Sequence, residues 1–152
     1  MKKILMLMML LAPLFAAAQG KVYNKSNTLV YKYDGKYLYH ENTKLGKWEI
    51  VSYMDKEIVY TRTNKVGQEP QDKMFLHFNG REICDAKTPN MPLFIFDGKY
   101  LYNGSVSDMS AAIGCFVENC YYRGTEPNPD KLVFRIDGEV PIALLLFANM
   151  AK

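Results

Sequence analysis

The string Asp-Gly-Lys-Tyr-Leu-Tyr occurs at residues 34–39 and again at 97–102 of a 152-residue chain. Weaker copies align with it at turn positions Asp34, Asp55, Asn79, Asp97, Glu118 and Asp137, with successive spacings of 21, 24, 18, 21 and 19 residues. A period near 20 sustained six times is the mark of a repeat architecture and takes precedence over any single motif.

The aligned columns behave as strand columns. The residue before the turn is always apolar (Tyr33, Met54, Phe78, Phe96, Val117, Ile136), and so are nearly all residues four and five positions after it. Asp-Gly and Asn-Gly dipeptides between apolar and aromatic runs predict tight hairpins, because such turns need positive φ that Gly and Asn tolerate. Asp34-Gly35, Asn79-Gly80, Asp97-Gly98 and Asp137-Gly138 are therefore read as structural turns. Units two and five lack the Gly and are expected to use longer or different turns. The prediction is an all-β chain of about six short hairpins, in a closed flower-like ring or an open meander. Past Pro141 the alternation stops, and "IALLLFANMAK" reads as a short apolar helix or as a final buried strand with Pro141 at an edge.

Tandem aromatic-x-aromatic-Asp/Asn-Gly units followed by an aliphatic-aromatic strand resemble the four-fold β-flower family of small bacterial repeat proteins, over roughly residues 22–143. The resemblance implies a hairpin-repeat architecture. It implies no catalytic residue, and six units stand here where four would be expected.

The first residues set the compartment. "MKK", an apolar run and an Ala-x-Ala site ending at Ala18 predict a secretory signal over 1–18 and a single mature domain over 19–152. The run is too short for a stable transmembrane anchor, which takes about 20 residues. The expected location is periplasmic or extracellular. Without Lys2 and Lys3 the chain keeps 17 basic and 16 acidic side chains, so the basic balance of the precursor nearly vanishes. A near-neutral chain with no Lys/Arg cluster lacks the footprint of a nucleic-acid binder.

Catalytic chemistry finds little support. His40 and His77 fall in different columns, and no metal-ligand spacing, phosphate loop or nucleophile elbow is visible, so no metal, cofactor or catalytic residue is assigned. The acids Asp34, Asp97 and Asp137 are read as turn residues rather than as calcium ligands. Three cysteines in an oxidising compartment suggest one disulfide and one buried thiol, with Cys115 and Cys120 bonded across their hairpin if its loop is four residues long and diagonal to each other if the turn has two. Candidate binding residues are the aromatics Tyr37, Tyr39, Trp48, Tyr100, Tyr102, Tyr121 and Tyr122, which offer flat apolar faces with polar tips. The functional expectation is an exported, non-catalytic binding module for a glycan, a peptide or an envelope protein, with self-association through unpaired sheet edges as a further option. Two alternatives stand beside it: a thiol-dependent hydrolase using Cys84 or Cys115 with a histidine, and a lipocalin-like carrier suggested by Gly46 and Trp48 in "LGKWE".

Overall fold

The structure, a computed structural model, describes residues 19–150. The predicted signal segment lies outside the described residues. Twelve antiparallel strands form one closed barrel: β1 (Gly20–Asn24), β2 (Leu29–Tyr33), β3 (Tyr37–Asn42), β4 (Lys47–Asp55), β5 (Ile58–Thr63), β6 (Gln71–Phe78), β7 (Glu82–Asp85), β8 (Pro92–Phe96), β9 (Tyr100–Asn103), β10 (Ala112–Val117), β11 (Cys120–Arg123) and β12 (Leu132–Gly138). A helix, α1 (Ile142–Met150), follows. The hairpin repeats thus close into a ring, and each strand pairs with its neighbours in sequence.

The ring has six units, and its seam lies between the chain ends. Five units are continuous hairpins, β2–β3 through β10–β11. In the sixth, the chain leaves the sheet after Gly138, and β1 supplies the missing strand: Val22 pairs with Ile136 as Leu101 pairs with Phe96. Asp137-Gly138 is therefore no hairpin turn, although Gly138 keeps a φ of 85° like Gly98 at 97°. The seam is tight, since a Cβ on Gly138 would meet the Gln19 carbonyl.

Curvature is distributed with the same period. Each contact between successive units skips one residue: Val30, Val51, Phe75, Leu93, Ile113 and Val133. All six are apolar, and each lies three residues before the core residue that precedes the turn. A bulge sharpens local twist and bends its strand, so six regularly placed bulges supply the corners that closure requires.

The bulges also fix the phase of the fifth unit. Ile113 precedes Phe116 by three, so Phe116 is the counterpart of Phe96 and Val117 takes the place of Asp97, where the sequence alignment had put Glu118 there. The recurring bond between units agrees. Phe96 and Phe116 donate backbone N–H to Arg81 and Lys99 (2.8 and 2.7 Å), and Ile136 donates to Asn119 (2.8 Å), which makes Asn119 the counterpart of Lys99. Both Gly-less turns are two residues long, not longer: Lys56 carries φ 54°, and Glu118 and Asn119 carry φ 48° and 64°.

The core fills the ring. With strands about 4.8 Å apart and tilted about 40°, twelve strands enclose roughly 24 Å from backbone to backbone, room for one helix about 10–12 Å across plus inward side chains. Helix α1 occupies that room. Ala143, Leu144, Leu145 and Leu146 are all at most 4% exposed, and four consecutive residues cover every side of a helix. A helix apolar all round has to be surrounded. It packs against Val22, Leu38, Val59, Leu76, Ile83, Leu101 and Phe134, which project inward from strands around the ring. Charged side chains such as Lys21, Lys32, Arg62 and Arg135 stand on the outer wall, the inverse of a lipid-facing barrel. Among the described residues, no helix is long and apolar enough to cross a membrane.

Candidate functional site

The repeated string explains itself at the turns. Asp34 accepts hydrogen bonds at Oδ1 from the Lys36 and Tyr37 N–H groups (2.9 and 2.8 Å) and at Oδ2 from the Tyr39 hydroxyl (2.7 Å). Asp97 repeats the arrangement with Lys99, Tyr100 and Tyr102 (2.9, 2.7 and 2.7 Å). Leu38 and Leu101, between the tyrosines, point into the core. Asp-Gly-Lys-Tyr-Leu-Tyr is thus a self-clamping hairpin: the Asp holds the turn, the Gly supplies positive φ, the Leu enters the lumen and the second Tyr ties the strand back to the turn. Asn79 caps its own turn through the Arg81 and Glu82 N–H groups, and Cys84 stands where the tyrosine would be.

These clamps set the local electrostatics. Burial pushes the Asp34 carboxyl upward, but hydrogen bonds from Tyr37, Tyr39 and Lys36 outweigh it and hold it below the usual aspartate range. The Tyr39 phenol is pushed up to about 12, first by its bond to Asp34, then by burial and the Asp34 charge. The signs follow from linkage. Asp34 contributes stability above its unfolded pKa that is lost as pH falls, whereas Tyr39 contributes stability that declines as pH rises from 10 toward about 12. Tyr39→Phe is expected to flatten that alkaline decline in melting temperature and to cost only about 0.5–1 kcal/mol at neutral pH, since the pair is solvent-screened. Thermal melts across the alkaline range, with phenolate absorbance read in parallel, check this; an unchanged alkaline limb would mean that the clamp does not form.

An open cavity of about 550 Å³ lies on the outer wall beside the seam. Trp48 of β4, Tyr39 of β3, Lys32 of β2 and Asp34 at the turn after β2 line it together with Lys21 of β1 and Asp137 of β12. The pleat puts them together: Lys32 is the cross-strand partner of Tyr39, and Lys21 pairs with both Lys32 and Asp137. The Lys32 ammonium stands 4.0 Å from the Trp48 ring centroid, so cation and ring hold each other in place. The groove offers an indole, a phenol held by its carboxylate, two ammonium groups and the Asp137 carboxylate, with no enclosing lid. Such a surface can stack a ring and hydrogen-bond its substituents.

The predicted aromatic residues separate into three groups. Tyr39 and Trp48 share the groove. Tyr37 begins an outer strip in which it meets Tyr53 edge-on (5.5 Å) and Tyr53 stacks on Tyr60 (5.0 Å, 8°), flanked by the bidentate Arg62–Asp72 pair at 2.6 and 2.8 Å. Tyr100 and Tyr122 stand on another part of the wall, where both pair with Cys115, and Tyr102 beside them is buried at 4% exposure with its hydroxyl bonded to Asp97, so it offers no open face. Tyr121 is a correction. It faces the lumen at 7% exposure, with rings of Phe116 and Phe134 at 4.6 and 5.2 Å, because the fifth unit's phase puts it in the Leu38 and Leu101 column. Sequence reasoning missed Lys21 and Asp137 as groove residues, since the seam joins segments more than 100 positions apart, and it missed Lys32, the hairpin partner of Tyr39, because only aromatic columns were read as binding residues.

The thiols are free, and the Cys115–Cys120 disulfide does not form. The two-residue turn pairs Cys120 with Val117 and Cys115 with Tyr122, which leaves the cysteines diagonal to each other. Cys84 does lie cross-strand from His77, whose Nε2 is 3.0 Å from a Glu57 carboxylate oxygen. Cys84 is nevertheless 1% exposed, and burial, then the Glu82 charge, pushes its pKa up. Burial does the same for Cys115. Both groups are therefore held as inaccessible thiols, the opposite of an activated nucleophile.

Among the described residues, no three His, Cys, Asp or Glu side chains converge as a metal site. Comparison with protein-family models, curated proteins and solved structures finds no match for this chain. What fold and site define is a six-unit β-hairpin barrel with a lumenal helix and an aromatic groove at its seam.

Proposed function

We propose that this protein is an exported, non-catalytic binding module that takes a glycan in the seam groove. The observation that carries the reading is the convergence of Trp48, Tyr39, Lys32, Lys21 and Asp137 around about 550 Å³ of open space on an otherwise regular wall. A saccharide presents an apolar C–H face for an aromatic ring and hydroxyls for mixed charged neighbours, which is the inventory of this groove. Export is the reading of residues 1–18, and it is compatible with a barrel whose first strand starts at Gly20. The apolar-ligand carrier is disfavoured because α1 fills the lumen such a ligand would need. The thiol hydrolase is disfavoured by the buried state of Cys84 and Cys115.

Trp48 is the chain's single tryptophan, so its emission reports the groove alone. Titration with oligosaccharides released from bacterial envelope polysaccharides and peptidoglycan is expected to give a saturable change in emission. Asp137→Ala together with Lys21→Ala is expected to weaken binding at least tenfold with no change in melting temperature. A flat titration across neutral, acidic and amino sugars would sink the glycan reading.

A further inference from the structure

The two ends of the barrel differ in kind. The five tight turns and the seam residues 137–139 lie at one end, and the connections between units at the other. Four consecutive connections around the ring, residues 43–46, 64–70, 86–91 and 104–111, place large apolar side chains in solvent: Leu45 at 51% exposure, Val66 at 92%, Met91 at 68%, Val106 at 60% and Met109 at 50%. The other two connections, 25–28 and 124–131, present no such side chain among the exposed large hydrophobics. Single exposed apolar residues are ordinary, but a contiguous arc of loop tips calls for an occupant.

Charge says which occupant. In the first two of these loops the apolar tip is preceded directly by a lysine and followed by a positive-φ glycine, Lys44-Leu45-Gly46 and Lys65-Val66-Gly67 with φ 63° and 76°. Lys87 adds a third cation, against two carboxylates, Glu69 and Asp108, and Asp108 is committed to the backbone and hydroxyl of Ser110 (2.8 and 2.6 Å). The opposite end has the other sign. Turn segments 34–36, 55–57, 79–81, 97–99, 117–119 and 137–139 hold seven carboxylates and four cations. Over all six connections the loop end holds five cations (Lys25, Lys44, Lys65, Lys87, Lys131) and four carboxylates (Glu69, Asp108, Glu126, Asp130), so an anionic surface favours the loop end, at net +1, over the turn end, at net −3.

We infer that the loop end of the barrel docks on an anionic phospholipid bilayer, with Leu45, Val66, Met91, Val106 and Met109 entering the interface and Lys44, Lys65 and Lys87 meeting the headgroups. Apolar tips supply burial, and cations beside them orient the approach and reach back to phosphate. The inference is independent of the groove.

The test is co-sedimentation of the protein, purified in the form its cells accumulate, with vesicles of phosphatidylcholine alone or mixed with phosphatidylglycerol. Binding to the mixed vesicles is expected to exceed that to phosphatidylcholine severalfold and to fall with added salt. The Leu45→Asp, Val66→Asp double variant is expected to bind at least tenfold less, with parental melting temperature and Trp48 emission; Lys44→Gln with Lys65→Gln is expected to lose the lipid-charge preference. Absence of binding by the parent, equal binding to both vesicles, or full binding by the aspartate variant would each overturn the inference. So would a concentration-dependent dimer in sedimentation velocity that the aspartate variant dissolves, since it would assign the arc to a second copy of the chain.

Discussion

Leu144→Asp is expected to abolish cooperative folding of the barrel. Leu144 is fully buried in a helix whose neighbours Ala143, Leu145 and Leu146 are buried too, so no rotation of α1 can bring a carboxylate to water. An unpaired buried charge costs several kcal/mol beyond the lost apolar burial, against a total stability of about 5–15 kcal/mol for a domain. The effect reaches past the helix, because an emptied lumen leaves the inward faces of all twelve strands without a core. Leu144→Ala grades the same effect: a loss of about 2–5 kcal/mol, read as a fall of very roughly 10–15 °C in melting temperature. Circular dichroism melts measure both. A parental melting curve for Leu144→Asp would show that α1 does not occupy the lumen, and the account of the core would fail with it.

Most of the ring was legible in the sequence, for a physical reason. Hairpins are local, and Asp34, Asn79 and Asp97 announce their turns because the same side chain must accept the N–H groups two and three residues on. Pro141 followed by Ile142-Ala143-Leu144 announced a helix as the first of several readings, and the helix is what forms, inside the ring. What escaped was non-local or carried by the wrong column. The sixth unit draws its second strand from Gly20–Asn24, and no local signal joins Ile136 to Val22. Unit five slipped by one because Glu118 was matched to the aspartates, whereas the invariant feature is apolar: a bulged residue, then a core residue three positions later, as in Leu93 and Phe96 or Ile113 and Phe116. Corrected, the unit returns Tyr122 to the column of Tyr39 and Tyr102 and sends Tyr121 inward. The groove escaped for the same reason as the seam, since Lys21 and Asp137 meet Tyr39 and Trp48 only after closure.

The corrected phase makes its own prediction at Gly114. The inward residue after each bulge is Tyr31, Ser52, Leu76, Phe94, Gly114 or Phe134, and the fourth and fifth units place their ring on opposite strands: Phe94 faces Leu101's column in one, and Tyr121 covers Gly114 in the other. A Cβ on Gly114 would fall inside the Tyr121 ring, and that ring cannot swing aside while Phe116 and Phe134 flank it. Gly114→Ala is therefore expected to destabilise by about 1–3 kcal/mol through overpacking, which outweighs the gain of a few tenths to about 1 kcal/mol from a stiffer unfolded chain. Tyr121→Leu alone is expected to cost about 2–4 kcal/mol by opening a void. The pair together should lose at least 1 kcal/mol less than the sum, because the new methyl group enters the space the phenol leaves. Denaturant unfolding of the four chains measures that coupling. Additive losses would mean that Gly114 and Tyr121 do not share a site, and would return Tyr121 to the outer wall and the fifth unit to the phase set by Glu118.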